Sequence, residues 1–320
     1  MGGTRDAAVG DLANSLRDSG ITAEQLAAAD AMADNDLSSE SDAAACKTCQ
    51  ADICRALQKQ LARNKDEQEK AMLASANYGD PNAPLPPGYR RATEQDLQNM
   101  GLSDGAGENL LVLSDEPDFH AEAFVRTDPI SGAESYVVGF RGTQGANASD
   151  WQANIRQGLG MESAYYRRAN KIGESLRRSG LGPTSFVGHS LGGGLAATAS
   201  GASGLPAQTF NAAGLSGDTL AGLPLANPDL VKNTSVTGDI LTGMQNWTAA
   251  PEAFGISRSI ADVKADNYSR GAWTGNNYNS GIENNAKSGV QLHYMEEVQK
   301  SLTQEEAQIR REMEANRCGE

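Results

Sequence analysis

The rhythm of apolar and polar positions changes sharply along the 320 residues. Residues 1–78 are rich in alanine and charge and nearly free of aromatics. Within them "DLANSLRDSG" and "TAEQLAAADAMADND" predict two short helices, the second capped by Thr22. From Ser41 to Asn77 apolar positions recur at four-residue steps through Ile53, Leu57 and Leu61, which predicts a longer helix. "GDPNAPLPPGYR", Gly79 to Arg90, cannot continue a helix and reads as a linker.

Beyond it the pattern turns to β. "HAEAFVR" and "SYVVGFRGT" predict a hairpin about a turn at Asp128-Pro129. "SDWQANIRQGL" and "ESAYYRRANKIGESLRRSG" read as helices, "TSFVGHS" as a short buried strand, and "LGGGLAATASGASG" as a helix of small residues. "AQTFNAAG" and "KNTSVTGD" predict further strands, and Tyr294 to Asn316 a charged helix. Strands alternating with helices predict an α/β fold with a mostly parallel central sheet, preceded by a helical N-terminal segment. The expected plan is therefore a helical segment at 1–80, a Pro-rich linker at 81–90 and an α/β domain at 91–320.

A net charge of −14 changes the range of partners. It repels a phosphate backbone, so no nucleic-acid partner is expected. The one basic cluster, Tyr165-Tyr166-Arg167-Arg168 with Lys171, Arg177 and Arg178, reads first as a solvated helix face and second as a transient contact with a membrane surface. No apolar run approaches the ~18 residues of a membrane helix, and "MGGTRDAAVG" lacks the apolar core of a secretory signal. The expected location is the cytoplasm of the producer, or outside it by a route that reads no such signal. Of four cysteines, Cys46 and Cys49 share a face of the predicted helix, with Cys54 less closely aligned. A zinc site would lack its second half, because Cys318 is the sole further cysteine and no histidine is near in sequence. Plain helix packing is the default. A disulfide tying Cys318 back to the first segment is the alternative for a protein that works outside the cytoplasm. No metal and no cofactor are expected.

The chemistry concentrates in "SFVGHSLGGGLA", Ser185 to Ala196. A strand that ends in Gly-x-Ser-x-Gly and turns at once into a helix is a nucleophile elbow. Gly188 and Gly192 let strand and helix approach, and the helix N-terminus beneath Ser190 favours developing negative charge. A decoy, "GLSDG" at Gly101 to Gly105, follows a helical pattern and lacks an apolar strand, so it reads as a loop. A serine hydroxyl needs a base, and the base needs an acid to orient it. Of the three histidines, His189 belongs to the elbow and must point away from its neighbour, while His120 reads as an ordinary strand residue. His293, in "SGVQLHYMEE", is the one that follows Ser190, at a loop–helix junction. Between them stand Asp218, Asp229, Asp239, Asp262 and Asp266. Asp239 ends the β-like run "SVTGDIL" and is the preferred acid; Asp218 and Asp262 are the main alternatives, and capping explains Asp218 and Asp229 more cheaply.

A tetrahedral intermediate also needs donors aimed at its oxygen. The N–H of Leu191 supplies one. The strand end "VVGFRGTQG" supplies the other, where Gly142 allows a close turn and Thr143 offers its N–H and hydroxyl. "FRGT", "SDWQANI", "FVGHSLGGGLA", "VTGDIL" and a late histidine together resemble the class 3 lipase family of α/β hydrolases. The resemblance covers roughly residues 120–295 and implies an α/β-hydrolase fold, a serine ester hydrolase acting on lipid or phospholipid, and an oxyanion hole at the positions of Thr143 and Leu191. It also implies a lid, for which "QGANASDWQANIRQGLGM" and "EAFGISRSI" are the two candidates. The polar N-terminal segment is more similar to bacterial phospholipase effectors delivered by type VI or related contact-dependent machines. That likeness implies an antibacterial role, an immunity or inhibitor protein, and a secretion-machine component as partners. The rival functions are a carboxylesterase or deacylase on non-lipid esters, with the same machinery, and a non-catalytic binding module on the same fold.

Overall fold

The computed structural model describes residues 40–78, 82–112, 119–143, 162–247, 250–261 and 289–319. The two short N-terminal helices, the helix expected at 149–159, the first lid candidate, and Asp262 and Asp266 lie outside the described residues, as do the side chains of Cys46 and Cys49. The chain divides into two compact units, Met1–Asp66 with Gln304–Glu320, and Glu67–Thr303.

The second unit is built on a seven-stranded sheet whose spatial order follows the chain. Helix α1 spans Glu40–Ala76, strand β1 Tyr89–Arg91, and the short helix α2 Glu94–Asn99. Strands β2 (Ala121–Thr127) and β3 (Glu134–Phe140) form the expected antiparallel hairpin, with β1 paired antiparallel on its outer edge. Then α3 (Glu162–Ser179), β4 (Thr184–His189), α4 (Leu191–Ser203), β5 (Ala207–Phe210), α5 (Gly217–Ala221), β6 (Val231–Val236), α6 (Ile240–Trp247) and β7 (Ile256–Ile260) alternate. From β3 to β7 every pairing is parallel. The short helix α7 (Gly289–His293) and the long helix α8 (Met295–Ala315) follow. The second lid candidate is thereby corrected: Ile256–Ile260 of that stretch are a sheet strand, paired along β6.

Strand alternation sends neighbouring side chains to opposite faces. Ala123, Val125, Val138 and Phe186 meet Ala169, Ile172 and Leu176 of α3 and Leu195, Ala199 and Ala202 of α4 on one face. Phe124, Val137, Val187, Phe210 and Val236 meet Ala71, Leu73 and Ala74 of α1 and Leu292, Met295, Val298 and Leu302 on the other. The spacing of Tyr166, Ala169, Ile172 and Leu176 makes one stripe on α3. Helix α4 is different, for it is buried from Gly192 to Ser203. Its hydroxyls are satisfied locally, as where Thr198 donates to the Gly194 carbonyl at 2.9 Å and Ser203 to the Ala199 carbonyl at 2.7 Å. Buried Glu67 of α1 pairs with Arg258 of β7, whose Nε lies 2.9 Å from the carboxylate.

The described part of the first unit contains a disulfide between Cys54 and Cys318, 264 residues apart in sequence. The default expectation of plain packing is replaced there by the covalent alternative. Asn64 also donates to Glu305 at 2.8 Å in this unit. Closing so long a loop restricts the unfolded chain and contributes about 2–5 kcal/mol. Cys318→Ser should therefore speed hydrogen exchange of the helical amides of this unit by about 30-fold or more. Unchanged exchange would show that the crosslink adds no stability.

Candidate active site

Parallel strands in register bring their C-terminal ends to one edge, where sites of open α/β sheets form. Phe140 lies opposite Gly188, His189 opposite Phe210, and Phe210 opposite Thr234. The residues that leave the sheet after these strands are Arg141–Thr143, Ser190, Asn211 and, three positions past β6, Asp239.

Ser190 stands between β4 and α4 with φ 58° and ψ −126°, a backbone region that residues with a side chain rarely enter. Its N–H donates to the Phe210 carbonyl at 3.0 Å, and its carbonyl accepts from Gly193 and Ala213, each at 2.9 Å. A Cβ on Gly188 would collide with the carbonyl of Gly192, so the strand–helix corner closes only with glycine there. Ser190 is buried, and among the described residues its Oγ has no hydrogen-bond partner. Leu191 opens α4, where the first N–H groups of a helix lack intrahelical partners. Gly142 packs against the same corner, since a Cβ there would sit 3.2 Å from Ser190 Cβ. Thr143 is the next residue and is half-buried.

His293 ends α7 and is buried. Its Nδ1 lies 2.6 Å from Asp239 Oδ1. The other carboxylate oxygen of Asp239 accepts the N–H and the hydroxyl of Thr242, each at 2.7 Å. Asp239 thus caps α6 with one oxygen and meets His293 with the other. Asp218 and Asp229 are exposed in the first turns of short helices. His120 faces Glu122 at 3.2 Å. In the decoy, Ser103 donates to Glu94 in a surface loop.

Two residues of this edge, Asn211 and Tyr78, have no motif to announce them. Asn211, with φ 43°, donates from Nδ2 to the carbonyls of Leu292 (3.2 Å) and His293 (3.1 Å) and accepts the Val236 N–H at 2.9 Å. His189 Nε2 lies 2.6 Å from the same His293 carbonyl, and its Nδ1 lies 2.6 Å from the Tyr78 hydroxyl. Burial holds the His189 imidazole well below the usual histidine range, with the nearby His293 ring adding to the shift. The buried asparagine ending "TFN" was the one available signal; Tyr78 offered none.

A mostly parallel sheet with a strained serine at a strand–helix turn defines an α/β hydrolase-like protein. The chain belongs to the phospholipase-like family of the Tle-like phospholipase domain, which matches residues 69–286. An extracellular phospholipase A1 of Serratia liquefaciens is 37% identical over 142 residues, 41% of this chain and 44% of that protein. The chain therefore spans less than half the length of that relative. Among solved structures, the extracellular lipase LipA of Serratia marcescens shares 17% identity at a TM-score of 0.31, over 48% of this chain and 28% of that one. The Rhizomucor miehei lipase propeptide complex shares 16% at a TM-score of 0.28, over 60% and 80%.

Asn211 is the residue whose loss this geometry penalises most directly. Asn211→Ala strips a buried donor from two carbonyls and leaves the Val236 N–H unpaired, which should cost about 2–4 kcal/mol. Urea unfolding of the variant measures it; a loss of under ~0.5 kcal/mol would mean that the contacts are replaced.

Proposed function

We propose that this protein is a serine ester hydrolase that cleaves phospholipids. Ser190 is the nucleophile, His293 the general base and acid, and Asp239 the carboxylate that orients the imidazole. The N–H groups of Leu191 and Thr143 hold the oxyanion. The observation that carries the reading is the strained Ser190, whose hydroxyl has no hydrogen-bond partner among the described residues, on the same sheet edge as the His293–Asp239 pair, in a chain of a phospholipase family.

In this reaction Oγ attacks the ester carbonyl as its proton passes to His293 Nε2. Asp239, held by Thr242, keeps Nδ1–H fixed and stabilises the imidazolium. The carbonyl oxygen gains charge against the start of α4, where donors and dipole already point. The protonated ring then gives its proton to the departing glycerol oxygen, leaving an acyl-enzyme. Water attacks that ester by the same route and releases a fatty acid. The likeness to a protein named phospholipase A1 supports a lysophospholipid and one fatty acid as products.

Ser190→Ala should abolish fatty-acid release from phosphatidylglycerol or phosphatidylethanolamine vesicles, and Asp239→Asn should lower kcat by about 10³–10⁴-fold with little change in stability. Lipid mass spectrometry reads both the loss and the acyl position cleaved. Hydrolysis of short soluble esters with no phospholipid turnover would favour a carboxylesterase. No fluorophosphonate labelling of wild type would favour a binding module.

The Cys54–Cys318 disulfide supports action outside a reducing cytoplasm. Together with the resemblance to delivered effectors, it supports an antibacterial role with an immunity protein as partner. Periplasmic expression should then stop the growth of a test bacterium, whereas Ser190→Ala should not. Unimpaired growth with active enzyme present would remove the toxin reading while leaving the hydrolase intact.

A further inference from the structure

Helix α1 ends at Ala76, and the chain turns so that the Tyr78 N–H donates to the Ser75 carbonyl at 3.1 Å. Asn77 is fully buried and donates to the Leu73 carbonyl at 2.8 Å, fixing that turn. The Tyr78 hydroxyl packs against the Gly142 backbone, where a Cβ at residue 142 would sit 2.5 Å from its oxygen. It also lies 2.6 Å from His189 Nδ1, while His189 Nε2 lies 2.6 Å from the His293 carbonyl.

The direction of each link follows from elementary rules. A carbonyl oxygen can only accept, so His189 carries its proton on Nε2. Burial keeps this ring neutral, so Nδ1 is an acceptor and the Tyr78 hydroxyl must donate to it. Burial also pushes the Tyr78 phenol well above its ordinary range, so the hydroxyl keeps its proton. The order is Tyr78 O–H to His189 Nδ1 and His189 Nε2–H to the His293 carbonyl, with the Gly142 backbone packed against the Tyr78 oxygen. Reversing any one link would set two donors or two acceptors face to face in a buried site.

We propose that Tyr78 is a positioning residue for ester hydrolysis: through the His189 ring it ties the turn that carries the oxyanion donor to the backbone of His293, and thereby sets the rate of the chemical step. The inference rests on the hydrolase reading above. The three tied points are the Gly142–Thr143 turn, the end of β4 beside Ser190, and His293. Their mutual spacing matters most when the carbonyl oxygen becomes an oxyanion and the proton is in transit, so its loss falls on the transition state more than on substrate binding.

Tyr78→Phe keeps the ring and removes only the oxygen. On p-nitrophenyl butyrate, kcat per fluorophosphonate-titrated site should fall about 10- to 100-fold, with KM within about twofold of wild type. Affinity for an alkyl boronic acid, which forms a tetrahedral adduct on the serine, should weaken by the same factor as kcat/KM. A purely structural role would lower the thermal midpoint and the titrated fraction and leave kcat per site unchanged, which would overturn the proposal. If Ser190→Ala keeps activity, the hydrolase reading fails; if Ser190→Ala is dead and Tyr78→Phe has wild-type kcat, only the positioning role fails. A measurement on wild type needs no variant of Tyr78 to fold. Histidine ¹⁵N NMR, with the three rings assigned by His120→Gln and His293→Gln, should show His189 protonated at Nε2 and bare at Nδ1 from about pH 5.5 to 9. An Nδ1–H tautomer or an imidazolium there would overturn the wiring.

Discussion

The backbone of Ser190 is held where a side-chain-bearing residue costs about 1–3 kcal/mol, and the neighbouring structure is arranged around keeping it there. Three backbone hydrogen bonds to Phe210, Gly193 and Ala213 over-determine it. The corner leaves no room for a Cβ at residue 188, and it sends the chain straight into α4. Because that helix starts under the middle of the sheet, it is enclosed along its length. Small residues and locally satisfied hydroxyls are what such an enclosed helix can carry. One strained residue thus dictates the composition of the thirteen that follow it as α4.

Strand order imposes a second constraint. When parallel strands follow one another in space as in sequence, right-handed crossovers stack their helices on the same face. Here α3 and α4 cover that face. The opposite face carries Phe124, Val137, Val187 and Phe210, and among the described residues no crossover helix buries them. The ends of the chain's helical segments meet that need: residues 71–76 of α1 and residues 292–302 pack there. Those elements reach the carboxyl edge of the sheet at Tyr78 and His293. Covering the apolar face therefore delivers the two groups that meet the His189 ring there, the Tyr78 hydroxyl at Nδ1 and the His293 backbone carbonyl at Nε2. Core burial and site geometry have the same cause.

This explains what was legible in the sequence. The elbow is local, spelled in a dozen consecutive residues, and the strand and helix that flank it follow from apolar runs and small residues. His293 was reachable by elimination among three histidines. Asp239 was harder, because a carboxylate before a helix is explained fully by capping; the structure gives it both contacts at once. Tyr78 was out of reach. It follows a helix that reads as an appendage, precedes a Pro-rich break that reads as a linker, and meets its partner 111 residues later. The cysteines were ambiguous for the same reason, since a pairing across 264 residues leaves no periodic trace. The stretch at 252–260 was a lid candidate only by the family resemblance and its place after Asp239, and its exposed and half-exposed positions are those of an edge strand.

Two imidazoles with centroids 4.7 Å apart, both buried, raise a final question of charge. At an effective dielectric of about 20, two full charges at that distance repel by about 3–4 kcal/mol, so one ring must stay neutral whenever the other is charged. The partners decide which. His189 faces a phenol and a carbonyl, neither of which compensates a positive charge, and its pKa is held down accordingly. His293 faces a carboxylate that Thr242 already secures by two hydrogen bonds. In the proposed reaction the proton taken from Ser190 therefore resides on the ring beside Asp239. The elbow histidine, adjacent to Ser190 in sequence, is kept out of the proposed proton transfer by having both nitrogens committed elsewhere. Its chemistry is spent on holding still the carbonyl of His293, the proposed base.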